Sequence, residues 1–481
     1  MKYIGPFLKS NYLSITNIKN QLFHLAKESE KILIFYSNFG IVSDSEKPEF
    51  ILKSYYDINT FKAFSPLLCI FKKGDIKLQN VDKKLCLDDN KFRKDVIIFS
   101  NTLMTLTVLE LSKYYSLLEK QHPVSHSLSK TYMYVAENQL QFYLTYLRNN
   151  EGVFVDKKNI SDEHEFKFEN KSKNFLFSDQ ALAMAAFGSY STLCRHKDSK
   201  QYQDFSLDIL NMLIGYKDSL YDLPYSEAMK ICFGINLFYD YTKNKEALSL
   251  LLDLYDYIEG VKDKDSSEKE SVTNQCLFII NSMLLYKHMN FTKYMDNAYN
   301  VLENIKKSYD KDKGLFLRNN TKKEIDITST DLVLFLISNL ITSDTDKSGV
   351  LCKETAELYK HIIEDLGIIG SFPNLPNLDS PERYKNFSSD SKNLLDEVNF
   401  KLDSIGTPDS TLLLPLFLKE ITYNKKKQCF SRPKSSFYSS QNMFLFFLFI
   451  YLFKPNFRGT DDDNNIFHKQ KKHSSKNRGT D

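Results

Sequence analysis

At recurring intervals the chain carries a polar turn followed by an aliphatic or aromatic pair, and a helical pattern restarts a few residues later. The clearest copies are Asn149-Asn150-Glu151-Gly152-Val153-Phe154 and Lys311-Asp312-Lys313-Gly314-Leu315-Phe316. Lys217-Asp218-Ser219-Leu220-Tyr221 is a third, and Gly370-Ser371-Phe372 and Gln428-Cys429-Phe430 are weaker ones. One more copy near Gly260-Val261 would divide the longest interval, giving roughly six units of about 45–65 residues, the period of a two-helix repeat. Such a unit cannot bury its own apolar face, so successive copies must stack.

Helical patterns restart at Ser178-Asp179-Gln180-Ala181, Ser226-Glu227-Ala228, Thr273-Asn274-Gln275 and Thr330-Asp331-Leu332, with fainter copies at Ser389-Asp390 and Ser440-Gln441. A hydroxyl followed by an acid or amide suits a helix N-terminus, where oxygens satisfy open N–H groups and negative charge meets the dipole. Second helices are expected near 202–215, 246–259, 291–309 and 351–366. The first hairpin pairs 95–118, apolar at Val96, Phe99, Leu103, Leu106 and Leu109, with 128–147. Between them 121–126 reads as a loop that Pro123 keeps from being helical. The last unit is ragged, since 393–422 contains Gly406 and Pro408 and reads as two short helices.

Composition supports a helical reading. The 481 residues include 15 Gly and 12 Pro, against typical shares of about 7% and about 5%. Tight turns consume both, which argues against a β-sandwich, a propeller or a glycine-cradled nucleotide fold. With 37 Phe, 29 Tyr and no Trp, the aromatic content suits long helices around a large core. Residues 1–94 differ: an opening helix near 15–29, then strand-like runs at 31–39 and 66–71, read as a small mixed α/β lead-in packed on the helical body of 95–453. The polar stretch 454–481 reads as a disordered tail. Its Arg458-Gly459-Thr460-Asp461, echoed by Arg478-Gly479-Thr480-Asp481, reads as a chance repeat or an expression artefact.

The formal charge of +3 provides no field to steer the chain to nucleic acid or an anionic membrane. The longest apolar run, Met443 to Phe453, is 11 residues, whereas a bilayer span needs about 20; it reads as a buried helix. No secretory leader opens the sequence, so the expected location is cytoplasmic. The seven cysteines stand at no metal-ligand spacing and read as reduced, mostly buried thiols.

Glu151-Gly152-Val153-Phe154 with Phe177-Ser178-Asp179-Gln180-Ala181, and Lys313-Gly314-Leu315-Phe316 with Thr330-Asp331, give about 95–453 a pattern that resembles the six-hairpin (α/α)6 toroid superfamily, whose best-known members are glycoside hydrolases and sugar epimerases. The resemblance implies a mainly α (α/α)6 toroid, a carbohydrate ligand and no cofactor. The residues themselves leave an open superhelical array as the competing arrangement. Lys, Asn and Ile usage fits an AT-rich bacterial genome.

In such a toroid the starts of the inner helices gather at one mouth. Asp179 and Glu227 are then the expected acid/base pair, with Asp331 third and Asp390 a fainter fourth. Glycoside hydrolysis needs two carboxylates about 5–5.5 Å apart for retention or about 6.5–9.5 Å for inversion. The competing explanation is that these acids only serve the helix dipole. Phe177, Tyr221, Tyr225 and Phe316 could stack on the apolar face of a sugar, though core packing is the commoner use. His164, within Asp162-Glu163-His164-Glu165, could shuttle protons or belong to a solvated acidic loop; His122 and His126 read as surface residues. No phosphate loop, nucleophile elbow or zincin motif occurs, and no metal site is expected. The alternative from another class is a non-catalytic helical scaffold binding a protein or peptide, which the absent Trp favours. A third reading is a toroid whose activity has been lost while its fold persists.

Overall fold

Six helices are apolar nearly all round, and a helix without a polar face must be enclosed. They are α2 (Ile98–Leu117), α4 (Phe177–Leu193), α7 (Tyr225–Thr242), α9 (Val272–Met289), α11 (Ser329–Ser343) and α13 (Ser439–Phe453). In the computed structural model each packs on the next, α2 on α4, α7, α9, α11 and α13, and α13 returns to α2. This closes the ring and excludes an open superhelix. The structure describes residues 2–4, 13–43, 66–117, 123–162, 165–172, 174–194, 199–261, 271–311, 313–316, 323–343, 350–373, 405–407, 410, 412–431 and 433–455. The expected tail beyond 455, the Ser389-Asp390 copy, His122 and His164 lie outside them.

Six further helices form the outer layer: α1 (Ile15–Tyr36), α3 (Pro123–Tyr146), α5 (Ser199–Gly215), α8 (Lys245–Val261), α10 (Thr292–Ser308) and α12 (Val350–Lys360). Each lies against one inner helix. Their burial follows a shared spacing of x, x+4, x+7, x+8 and x+11: Tyr202, Ser206, Ile209, Leu210 and Leu213 in α5; Ala247, Leu251, Leu254, Tyr255 and Ile258 in α8; Tyr294, Ala298, Val301, Leu302 and Ile305 in α10. Leu128, Tyr132, Val135, Ala136 and Gln139 repeat it in α3, whereas α1 is buried at nearly every position from Gln21 to Tyr36. That spacing makes a single stripe along a 3.6-residue helix, enough to face one neighbour.

Helix α1 packs on α13 and so stands in the outer layer beside the last inner helix, although it opens the chain. It runs to Tyr36, so the β-branched and aromatic run expected as a strand from Lys31 is its buried last turn. Pro123 heads α3 rather than excluding helix, because the first helical position needs no N–H donor. Lys217–Tyr221 is a short helix, α6, where a turn was expected. Described residues 412–424 contain no helix, in contrast to the short helices expected there.

All six inner helices start at the same end of the ring, where the longer connections carry the strands. These are β1 (Lys2–Ile4), β2 (Gly40–Val42), β3 (Leu67–Asp75), β4 (Leu78–Val81), β5 (Lys84–Leu87), β6 (Arg93–Val96), β7 (Lys157–Asn159), β8 (Phe168–Asn170), β9 (Tyr309–Asp310), β10 (Leu315–Phe316), β11 (Glu324–Thr328), β12 (Ile405–Thr407), β13 (Glu420–Asn424), β14 (Cys429–Phe430) and β15 (Ser436–Tyr438). The largest sheet runs β15-β3-β6-β7-β8, with β2 also on β3, all antiparallel. A second sheet, β11-β13-β14, leads into α11.

One side-chain device joins these connections to the ring. The fourth residue of α2, α4 and α13 is an amide that both accepts from and donates to one backbone residue: Asn101 on Ile70 (2.8 and 3.2 Å), Gln180 on Phe154 (3.0 and 2.8 Å) and Asn442 on Phe417 (2.8 and 2.9 Å). Each bracket satisfies a buried N–H and C=O that would otherwise cost about 1–3 kcal/mol apiece.

Candidate functional site

The inner helices α4 and α7 approach each other closely because glycine and alanine line their seam. A Cβ on Gly234 would lie 2.8 Å from the Ala181 carbonyl carbon, and one on Gly188 would lie 2.6 Å from the Phe238 ring. That approach brings their first turns together, and Glu227 of α7 reaches the start of α4. Its Oε1 accepts from the Ser178 N–H at 2.9 Å and its Oε2 from the Ser178 hydroxyl at 3.0 Å. An analogous bond joins the next seam but one, where Asp331 of α11 accepts from the Thr273 hydroxyl of α9 at 2.7 Å.

By this rule Asp179 of α4 would serve the start of α2, but that place is taken. Asp156, in the turn after Phe154, accepts from the Ile98 N–H at 2.9 Å. Asp179 is 4% exposed and its Oδ1 has no hydrogen-bond partner. Burial pushes the Asp179 carboxyl well above the usual carboxylate range; the nearby Asp156 and Glu227 charges act in the same direction, and Lys230 opposes them. The Asp156 carboxyl is also raised, by burial first, with the Ile98 N–H, Lys171 and Lys72 opposing.

Cations and an aromatic ring surround these carboxyls. Lys230, one turn beyond Glu227 on α7, places its ammonium 5.7 Å from the Phe99 ring centre at the start of α2. Asp95 on β6 accepts from Arg93 at 3.0 Å and Lys171 at 2.8 Å. Burial works against the Asp95 charge, but those two cations hold its carboxyl below the usual range. The lysine of β3, Lys72, is pulled down by burial and by the nearby Lys171 and Arg93 charges.

The structure therefore brings Asp179 and Glu227 together, and Asp331 lies across the ring on the α9–α11 seam. Phe177 packs on Phe175 and Tyr216, with ring centres 5.0 and 5.8 Å away. Tyr221 lies 4.8 Å from Tyr257 of α8, whose hydroxyl donates to the Tyr221 carbonyl. Tyr225 is half-buried at the start of α7, and burial raises its phenol. Phe316 is buried against Tyr309 and Phe335, a core role. In the loop that contains His164, Asp162 and Glu165 are exposed and flank Lys167 at 4.0 and 2.8 Å, as a solvated loop would be. Sequence reasoning missed Asp156, Asp95, Lys72, Lys171 and Lys230. The only local signal was that Asp156 closely follows the Val153-Phe154 pair of a repeated turn.

Among the described residues no cluster of His, Cys, Asp or Glu has metal-binding geometry. No helix there is long and apolar enough to cross a membrane. The seven cysteines form no disulfide, and Cys429 is exposed while Cys69, Cys86, Cys232 and Cys276 are buried. A separate surface cavity, lined by Tyr309, Phe335, Asn339, Glu354 and His361, lies between α10, α11 and α12 and contains none of the mouth carboxylates.

A closed ring of six helical hairpins, with its connections and buried carboxyls at one end, is the six-hairpin (α/α)6 toroid fold. The chain is similar to several solved structures. A sugar epimerase from a ruminal bacterium is 9% identical with a TM-score of 0.52, covering 91% of this chain and 98% of that one. A D-mannose isomerase is 11% identical (TM-score 0.49; 92% and 100% covered), and the cellulase Cel9M of C. cellulolyticum is 9% identical (TM-score 0.49; 94% and 100% covered). No protein-family model and no curated protein sequence matches the chain.

Proposed function

We propose that this toroid binds a carbohydrate at the end where its inner helices start, and processes it by acid/base chemistry of the glycosidase or epimerase type. The observation that carries this reading is Asp179: a buried carboxyl with an oxygen that has no partner, beside two other carboxylates. A carboxyl held protonated above its ordinary range is suited to deliver a proton, and a second carboxylate in a more polar place is suited to receive one. In this reading Asp179 is the acid. Asp156 is the partner carboxylate, since only its Oδ1 is tied to Ile98 and the residue is half-buried. Glu227, with both oxygens on Ser178, is a positioning residue that fixes the first turn of α4. Phe177, Tyr221 and Tyr225 offer aromatic surface at the same end for the apolar face of a sugar. The fold shared with a sugar epimerase supports the ligand class.

A second reading, a non-catalytic scaffold, is favoured by the hydrogen bonds that occupy Glu227 and Asp331. The two readings separate in one experiment: glycan-array binding, with NMR of products from the bound glycans, for the intact protein and for Asp179→Asn and Asp156→Asn. Processing predicts that both variants still bind glycan while turnover falls at least about 100-fold, the usual contribution of a positioned acid or base. Glycan binding with no turnover by the intact protein supports a lapsed enzyme. Absence of any glycan binding by the intact protein refutes the proposal.

A further inference from the structure

Two lysines at the mouth face carboxylates without closing an ion pair: Lys72 lies near Asp95 and Asp156, and Lys230 near Asp179. Asp95 engages both Arg93 and Lys171, so those cations already have a carboxylate. Among the described residues neither Lys72 nor Lys230 forms an ion pair, and both are half-buried. The fold fixes their positions. Lys72 lies on β3 between Phe71, paired with Val96, and Lys73, paired with Arg93, so its strand runs beside the one that carries Asp95. Its carbonyl accepts from the Ser439 hydroxyl at the start of α13. Lys230 stands one turn beyond Glu227 on α7 and over Phe99, the residue after the one Asp156 caps. The two lysines thus stand over the first turns of α2, α4, α7 and α13.

A partly desolvated ammonium without a carboxylate is costly, and most half-buried lysines elsewhere in this chain have met a partner. Lys113 and Lys454 bind Glu110, and Lys306 lies 3.6 Å from Glu354. Lys72 instead has the Lys171 ammonium and the Arg93 charge near it, and burial with that repulsion lowers its affinity for a proton despite the opposing Asp95 carboxylate. Asp179 cannot compensate while its carboxyl stays protonated. A ligand that brings its own negative charge would remove this imbalance. Its charge would also hold the proton on Asp179 more firmly, so binding and the acid role would reinforce each other.

We infer that the mouth is built for an acidic sugar, one that carries a carboxylate or phosphate group, with Lys72 and Lys230 as the residues that recognise the anion. This inference rests on the carbohydrate reading and narrows its ligand class. A hydroxyl-only sugar would leave both ammonium groups without a close ion pair. An acidic one would supply that pair.

The test is isothermal titration of the full chain with four probes: glucuronate, galacturonate, glucose 6-phosphate and neutral glucose. The acidic probes are expected to bind at least about tenfold tighter than glucose at low salt, with the margin shrinking as ionic strength rises. The two uronates against the sugar phosphate identify which anion is preferred. Lys230→Gln and Lys72→Gln should each reduce the acidic preference about fivefold or more, the effect of one partly screened charge. Lys230→Arg should keep it, and circular dichroism shows whether each variant folds. If glucose binds as well as its acidic counterparts, the inference fails while the carbohydrate reading stands. If acidic sugars bind but neither Lys→Gln variant weakens them, the assignment to these lysines is overturned. If no sugar of either kind binds, here or on the wider array, the carbohydrate reading fails and takes the inference with it.

Discussion

Replacing Gly234 by alanine tests the seam on which the candidate site rests. Gly234 lies two turns below Glu227 on the same face of α7, and Ala181 lies two residues beyond Asp179 on α4. A Cβ at Gly234 would meet the Ala181 carbonyl carbon and Cβ at 2.8 Å and its carbonyl oxygen at 3.0 Å, where ordinary contact begins at 3.4 Å. The opposing atoms are backbone or directly attached to it, so no flexible side chain can give way. The helices must separate by about 0.6 Å, and overpacking of this kind costs about 1–3 kcal/mol. Alanine recovers about 1 kcal/mol of helix propensity. The same separation stretches the Glu227–Ser178 bonds from 2.9 and 3.0 Å toward their limit, a cap valued at about 1 kcal/mol.

Overpacking therefore outweighs propensity, and Gly234→Ala is expected to destabilise by about 2 kcal/mol. Gly260→Ala provides the control: it is exposed near the end of α8, nothing lies within 4 Å of its added Cβ, and propensity alone should stabilise by up to about 1 kcal/mol. Urea unfolding, followed by the circular dichroism of the helices, gives both midpoints under one protocol. Opposite shifts of the two midpoints support the close approach of α4 and α7. A Gly234→Ala variant as stable as Gly260→Ala would refute it, and with it the claim that this seam sets the distance between Glu227 and Ser178.

Two further predictions concern pH. The raised Asp179 carboxyl keeps its proton in the fold at pH values where the unfolded chain has released it. Its contribution to stability is thus present below about pH 3.9 and lost as pH rises, at about 1.4 kcal/mol per unit of upward shift. Asp179→Asn should therefore melt higher than the parent at pH 7, with the gap closing near pH 4; a gap that persists at pH 4 would contradict the protonated carboxyl. His288 behaves in the opposite sense. Its side chain is 2% exposed, its Nε2 has no partner, and burial with the facing Lys243 and Lys287 charges lowers it to about 4 despite Asp240 at 3.9 Å. The unfolded chain takes up that proton near pH 6.5 and the fold only near 4, so stability falls across that window by up to about 3 kcal/mol. His288→Gln should flatten the acid limb of the urea midpoint between pH 7 and 4.5, and an unchanged limb would show that another group controls it.

Much of the ring was legible in sequence because its signals are local. Outer helices expected near 202–215, 246–259 and 291–309 are found at Ser199–Gly215, Lys245–Val261 and Thr292–Ser308. An amphipathic stripe reports one neighbour, and the periodicity is enough to find it. What failed was the reading of segments whose environment is set from afar. Lys31 to Tyr36 has β-forming residues, but as the last turn of α1 it is buried beside a helix more than 400 residues away in sequence, α13. The amides at positions such as Gln180 were visible as helix-start residues, whereas their use as brackets on Phe154 depends on a backbone that only the fold brings near.

The same limit decides the candidate site. Asp179, Glu227 and Asp331 share one local signature, an acid in the first turn of an inner helix, and sequence cannot rank them. The ring separates them by asking whether a neighbouring helix needs the carboxylate. The first turn of α4 uses Glu227, and Thr273 on α9 uses Asp331. At α2 the need is met from outside the series by Asp156, and Asp179 is released from structural duty. A carboxyl that remains buried after another group has taken over its cap costs stability and returns none through hydrogen bonding at Oδ1. On that contrast rests the proposal that Asp179 is the acid. Asp179 differs from the other two only because Asp156 occupies the start of α2, a position that no periodicity reveals.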